Sequence, residues 1–298
     1  MVGTKSGTIG ILDVVTQAYT TAMRSHASGI LCLSNDKNLD RGEFATVGSD
    51  KTIRVWSTIS GRQKYEFLSP HDAPCTVAYH PSEQTIACGF DSGFIRVFDV
   101  MSTTTKHELE QHTGMVKCLL YNADGTVLYS AATDGHISMF DVTQEYLPLK
   151  TVACDVPADG VMLCLSADGT QLAAPGPEKN AISVYDSATL IPGKKLVYRR
   201  GDEIADCPFQ HIAFYGKEGI AAFTDSRAVY FKNGKVVSDM LPAQGSLCFA
   251  KSSSGRHVAC ASAKASGDLS ANFVYIWRFG GETGKKLGGV VIKEVRVN

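Results

Sequence analysis

Eight histidines and nine cysteines could in principle hold a metal ion. No histidine recurs at i, i+2 or i, i+4 with a cysteine or carboxylate on one strand, and no Cys-x-x-Cys pair occurs, so no metal site is expected. Gly280-Gly-Glu-Thr-Gly284-Lys285-Lys286 has the outline of a phosphate-binding loop, but it is one residue short and ends in Lys rather than Ser or Thr. Such a loop also requires a strand before it and a helix after it. Gly3-Thr-Lys-Ser-Gly7 fails in the same way, and both stretches read as hairpin turns. Serine, histidine and aspartate are plentiful, yet no Gly-x-Ser-x-Gly elbow occurs. The expectation is a non-enzyme with no cofactor and no small-molecule substrate.

Charge is the remaining chemistry. Lys194, Lys195, Arg199 and Arg200 form a basic cluster with two readings. It protects an edge strand from pairing, or it attracts an anionic partner such as an acidic polypeptide tail. Lys285, Lys286, Lys293 and Arg296 are a second, weaker cluster, and Arg200-Gly201-Asp202 reads as a loop. Over the whole chain 29 Lys and Arg balance 30 Asp and Glu, a formal net charge of −1. Such a chain is a poor candidate for binding nucleic acid through its whole surface, and no nucleic-acid partner is expected; any such binding would have to be local. No apolar run reaches the ~18 residues of a membrane span. Several of the cysteines sit in apolar runs such as Ile30-Leu-Cys-Leu33, where they act as small hydrophobes, and no Asn-x-Ser/Thr acceptor occurs. A reducing, cytoplasmic location is expected.

Those groups must be positioned by a repeated element. Gly7-Thr-Ile-Gly-Ile-Leu12, Lys51-Thr-Ile-Arg-Val-Trp56, Gly93-Phe-Ile-Arg-Val-Phe98, Gly135-His-Ile-Ser-Met-Phe140, Asn180-Ala-Ile-Ser-Val-Tyr185, Ser226-Arg-Ala-Val-Tyr-Phe231 and Asn272-Phe-Val-Tyr-Ile-Trp277 align. Their sixth residues recur every 42 to 46 positions, and all but Leu12 are aromatic. Each segment alternates apolar with polar or small residues, the period of a strand. A second β-rich run lies upstream, such as Phe44-Ala-Thr-Val-Gly48 or Thr85-Ile-Ala-Cys-Gly89. A third ends in turn chemistry, Asn122-Ala-Asp-Gly125 and Ser166-Ala-Asp-Gly169. A more polar run such as Arg62-Gln-Lys-Tyr-Glu-Phe-Leu68 opens each unit. Four strands per roughly 43 residues, repeated about seven times, predict an all-β, seven-bladed β-propeller of four-stranded antiparallel blades.

The pattern resembles the WD-repeat (WD40) family over nearly the whole chain. No literal Trp-Asp closes a unit; Leu12-Asp13, Trp56-Ser57, Phe98-Asp99, Phe140-Asp141 and Tyr185-Asp186 stand in its place. The resemblance implies a buried tetrad of His26, Thr46, Asp50 and Trp56. In the fourth unit it implies His112, Ser130 and Asp134, with Phe140 lacking the indole donor; in the third, His71, with Cys88 and Ser92 at the hydroxyl and carboxylate places. His26, His71 and His112 are thus expected as clamps, His107 and His136 as solvated, and His80 in a turn. Aligning Ser6 with Asp50 leaves the first blade short, and Lys285 onward begins an outer strand without a full successor. Residues 1–298 are expected to be a single propeller excised from a longer repeat protein.

Family members bind partners through the loops at one face, which implies Arg24, Lys51, His71, Asp72, Asp91, Gln111, His136, Glu178, Arg200, Asp202 and Arg227 here, with Lys194, Lys195 and Arg199 from the basic cluster. The runs Phe44–Ser57 and Ile86–Val100 are similar to the microtubule-wall WD-repeat proteins of centrioles and cilia, the proteome-of-centriole family. That resemblance implies a protein-interaction scaffold at a centriole, basal body or cilium, with tubulin or a neighbouring wall protein as partner. The alternative is a substrate-receptor adaptor of a ubiquitin ligase or other signalling complex. Such receptors carry Trp-Asp-x-Arg, which Trp56-Ser-Thr-Ile and Trp277-Arg-Phe-Gly do not match.

Overall fold

The aromatics that end repeats, Trp56, Phe98, Phe140, Tyr185, Phe231 and Trp277, lie on the third strand of an antiparallel sheet, and the strands bearing the first four bury residues on both faces. In this computed structural model the described residues are all of 1–298 except 4–6, 14–15, 17, 39, 155–162, 177–180, 201–202, 205–208, 210, 216–218, 225–227, 241–245, 252–256, 265–270, 279–289, 292–294 and 298. Strands β1 (Val2–Gly3), β2 (Thr8–Leu12) and β3 (Tyr19–Arg24) make a three-stranded sheet. Four-stranded sheets follow. The first holds β4 (Ile30–Asn35), β5 (Glu43–Gly48), β6 (Thr52–Ser57) and β7 (Gln63–Leu68). The next holds β8 (Pro74–Tyr79), β9 (Thr85–Phe90), β10 (Ile95–Asp99) and β11 (Thr105–Leu109). Then come β12 (Val116–Tyr121), β13 (Val127–Ala132), β14 (His136–Asp141) and β15 (Leu147–Ala153). The fourth comprises β16 (Cys164–Leu165), β17 (Gln171–Pro175), β18 (Ala181–Asp186) and β19 (Pro192–Val197).

A two-stranded ribbon of β20 (Arg199–Arg200) and β21 (Glu203–Ile204) precedes the sheet of β22 (His211–Tyr215), β23 (Gly219–Phe223), β24 (Ala228–Lys232) and β25 (Lys235–Met240). The last sheet joins β26 (Ser246–Lys251), β27 (His257–Lys264) and β28 (Ala271–Arg278), with β29 (Val290–Val291) and β30 (Val295–Val297) both paired to β28. The fold is all-β and propeller-like, built of four-stranded antiparallel meanders. The polar run that opens a sequence repeat completes the sheet before it: β7 pairs with β6, Val55 opposite Tyr65 and Ile53 opposite Phe67.

Turn chemistry sets the hairpins. Asn122 Oδ1 accepts from the Val127 amide at 3.0 Å, and Asp124 Oδ1 from the Thr126 amide at 3.1 Å. Between β24 and β25, Asn233 and Gly234 have φ of 52° and 79°, the left-handed pair a two-residue hairpin demands. Burial falls from middle to outer strand: every residue of β5 and β9 is buried, whereas β7 shows only Phe67 fully covered.

Two compact units divide the chain, Met1–Leu12 with Thr20–Ala158, and Asp13–Tyr19 with Asp159–Asn298. In the first, one apolar cluster joins the β4–β7 and β8–β11 sheets through Val47, Val55, Phe67, Phe90 and Phe98, and another joins β8–β11 to β12–β15 through Ile95, Leu128 and Phe140. In the second, Ile182, Leu196, Tyr198, Phe214 and Phe231 form the core between β16–β19 and β22–β25. The aromatics Trp56, Phe98, Phe140, Tyr185 and Phe231 are all buried.

Candidate functional site

A buried hydrogen-bond chain holds the loop before β4 against the β5–β6 turn. The Trp56 indole N–H donates to Thr46 Oγ1 at 2.8 Å, and Thr46 Oγ1 lies 2.8 Å from His26 Nε2. His26 Nδ1 lies 2.9 Å from Asp50 Oδ1. Nδ1 faces the Asp50 carboxylate, which can only accept, so Nδ1 carries the proton; with the ring's pKa lowered by burial, Nε2 is left bare and accepts from the Thr46 hydroxyl. The imidazole is therefore neutral. Burial lowers its pKa, against the pull of Asp50 that would raise it. Burial also works against the Asp50 carboxylate, but hydrogen bonds from Thr52 Oγ1, the Ala27 amide and His26 hold its pKa down at about 2. Gly48 makes the space: a Cβ there would stand 2.2 Å from His26 Nδ1.

The β12–β15 sheet repeats the clamp without the indole. His112 Nε2 lies 2.6 Å from Ser130 Oγ and Nδ1 3.0 Å from Asp134 Oδ2, which also accepts from the Thr113 amide at 3.0 Å. Burial lowers the His112 pKa. Phe140, buried and at the register position of Trp56, has no indole N–H to donate.

The β8–β11 sheet departs from expectation. His71 is exposed and is no clamp. Asp91, one residue before Ser92, accepts from the Ala73 amide at 2.9 Å, as Asp50 does from Ala27. The residue before that amide is Asp72, which pairs with Arg96 at 2.8 Å. Arg96 also bonds Glu108 and lies over the rings of Phe90 and Phe94, 4.6 and 5.4 Å from their centroids. An ion pair replaces the imidazole because the loop into β8 is shorter: His26 and His112 stand four residues before Ile30 and Val116, whereas Asp72 stands two before Pro74. His80 is also more than a turn residue. It is buried, its Nε2 is 3.0 Å from the Gly125 carbonyl, and Nδ1 accepts from the Glu83 amide at 2.9 Å. His107, expected in solvent, lies against the Tyr146 ring, 5.1 Å between centroids.

Lys51 is exposed with φ 64°, and its Nζ lies 3.5 Å from the Pro70 carbonyl, in the loop that carries His71. Gln111 Nε2 donates to Thr151 Oγ1 at 3.3 Å. His136 is half exposed, its Nδ1 3.6 Å from Asp134 Oδ1. Arg24 ends β3, Lys194 and Lys195 are exposed on the outer strand β19, and Arg199 and Arg200 form β20. Glu178, Asp202 and Arg227 lie outside the described residues, as does the loop Gly280–Lys286.

Sequence reasoning missed three features. Arg54 and Arg96 occupy the same place in Lys51-Thr-Ile-Arg54 and Gly93-Phe-Ile-Arg96, and each meets the glutamate opposite it on the next strand, Glu66 or Glu108. Their recurrence was the available signal. Buried Glu43 accepts from Tyr79 Oη at 2.6 Å and pairs with Lys64. Buried Asp36 receives Arg41 Nε at 2.6 Å and Nη2 at 2.9 Å, while Arg41 Nη1 reaches the Ser82 carbonyl at 3.0 Å. Both networks link sheets through residues some forty positions apart, where no local pattern points to them.

Residues 34–192, more than half of the chain, match the family model described as WDR90/POC16, second β-propeller. The chain is 38% identical over 192 residues to WD repeat-containing protein 90 of Xenopus tropicalis, which covers 63% of this chain and 10% of that protein. To the Homo sapiens protein of the same name it is 35% identical, over 63% of this chain and 11% of that one. To Centriole proteome protein 16 of Chlamydomonas reinhardtii it is 36% identical over 199 residues, 65% of this chain and 10% of that protein. The chain thus spans about a tenth of the length of the curated relatives it matches. A chain in the crystal structure of the mitotic checkpoint complex superposes with a TM-score of 0.66 at 18% identity, over 84% of this chain and 73% of that one, a likeness of fold alone.

Proposed function

Because the chain belongs to the WDR90/POC16 second β-propeller family, we propose that it is a non-enzymatic protein-interaction scaffold in a centriole- or cilium-associated microtubule assembly. One observation carries the reading: the match to that family over residues 34–192, joined by the 36% identity to Centriole proteome protein 16. In this reading the sheets are the blades of a single seven-bladed propeller, and the clamps hold their connecting loops still. Rigid strands then present Lys51, His71, Asp91 and His136 to a partner. Lys194, Lys195, Arg199 and Arg200 favour an acidic partner surface, with tubulin or a wall protein as the occupant.

Co-sedimentation with purified microtubules at low and physiological salt, beside a variant with those four residues changed to Glu, tests direct lattice contact. Pelleting of the wild-type chain, weakened in the variant, is expected. Equal pelleting of both removes the basic cluster from the reading, and no pelleting at low salt removes tubulin and leaves a wall protein as the partner.

A further inference from the structure

Between the β16–β19 and β22–β25 sheets lies a cavity of about 220 Å3 whose lining includes Val184, Lys194, Leu196, Phe214, Phe231 and Gly234. Register explains why it is open. In the β4–β7 sheet, Phe67 pairs with Ile53 and meets Phe98 of the next sheet, 5.0 Å between ring centroids. Two residues earlier, Tyr65 reaches Met101, three positions after Phe98, with 3.5 Å between Oη and Sδ. The corresponding residues in the second unit are smaller or charged. Leu196 pairs with Ile182 where Phe67 pairs with Ile53, and Lys194 stands two residues earlier. Gly234 stands three after Phe231, where Met101 stands three after Phe98. A Cβ on Gly234 would meet nothing nearer than Leu196 Cδ2 at 4.0 Å. Two bulky side chains that close the first gap are absent from the second.

We propose that this slot docks an acidic polypeptide segment through one bulky apolar side chain. The apolar walls suit a Phe or Leu, and the volume is below the ~300 Å3 at which drug-sized ligand pockets begin. Lys194 lies in the slot lining itself. Lys232 and Lys235, on the hairpin that carries Gly234, are exposed as well. Carboxylates flanking the inserted side chain would meet these ammonium groups, so apolar insertion sets affinity and charge sets register and approach. The inference rests on the scaffold reading above and gives its partner a chemistry.

The test is fluorescence anisotropy of a labelled Glu-Glu-Phe-Glu-Glu peptide titrated with the 298-residue chain. Binding is expected, weakened about 10-fold when the peptide's Phe becomes Gly, when Leu196→Phe fills the slot, and when Lys194→Glu reverses its charge. Circular dichroism checks that each variant is folded. Should Leu196→Phe fail to fold, the Gly peptide against the wild-type chain carries the same test. Equal affinity for Phe and Gly peptides overturns the insertion, and no binding of either peptide overturns the site. Octanoate bound in the slot without displacing the peptide assigns the cavity to a small carboxylate and likewise overturns the proposal. Peptide binding without centriolar enrichment of the chain would strike the scaffold reading alone, and enrichment without peptide binding would strike the slot alone.

Discussion

Thr46→Val removes one hydroxyl from a position with no solvent exposure and changes the side-chain volume little. It deletes both the acceptor of the Trp56 indole N–H and the donor to His26 Nε2, each at 2.8 Å. Two buried polar atoms are then left without their partner, at about 1–3 kcal/mol each, so the substitution should cost about 2–6 kcal/mol. Trp56→Phe costs less through the network, because Thr46 still donates to His26 and only a lone pair is left open. The β12–β15 sheet already holds its His112–Ser130 pair beside Phe140. In the double variant the indole no longer needs its acceptor, so the two losses should fall short of additivity by about 1 kcal/mol. Urea unfolding of the four proteins, with unchanged m-values, measures the cycle. A Thr46→Val cost below about 1 kcal/mol, or strictly additive losses, would refute the claim that the hydroxyl links indole and imidazole.

Four further outcomes follow from the buried polar contacts. His26, His80 and His112 are all held below the ordinary imidazole pKa by burial. The unfolded chain therefore binds more protons as the pH falls through about 6.5, and stability drops there by up to about 1.4 kcal/mol per pH unit for each histidine, which denaturation midpoints between pH 8 and 5 should show. A second loss sets in at lower pH as Asp50 protonates through its folded value of about 2, seen as a further fall in midpoint below pH 4. Arg41→Ala strands the fully covered Asp36 carboxylate and should cost about 3–5 kcal/mol in the same urea assay, far more than removal of an exposed lysine. Gly48→Ala drives a Cβ into the His26 ring and should cost about 1–3 kcal/mol, with the imidazole NMR signals shifted.

The strand plan was legible because the fold writes it locally. Alternation from Ile53 to Trp56 and from Ile95 to Phe98, and turn residues such as Asn122-Ala-Asp-Gly125, report directly on pleat and hairpin. The clamps at His26 and His112 were legible because their loops reach β4 and β12 at one fixed distance. His71 misled because the loop into β8 is shorter, so counting from its histidine put the imidazole where Asp72 and Arg96 form an ion pair. The Glu43–Tyr79 and Arg41–Ser82 contacts had no sequence signal at all. They join neighbouring sheets, so each partner depends on packing rather than on spacing within a strand.

On the proposed reading this chain is held by a centriolar assembly. The direct measurement is expansion microscopy of ciliated cells expressing the chain with a fluorescent tag, scored as signal on centriole walls over cytoplasm. Enrichment on the walls, reduced by charge reversal at Lys194, Lys195, Arg199 and Arg200, is the outcome predicted by the account. A folded, evenly dispersed chain, or one gathered at another structure, would contradict it.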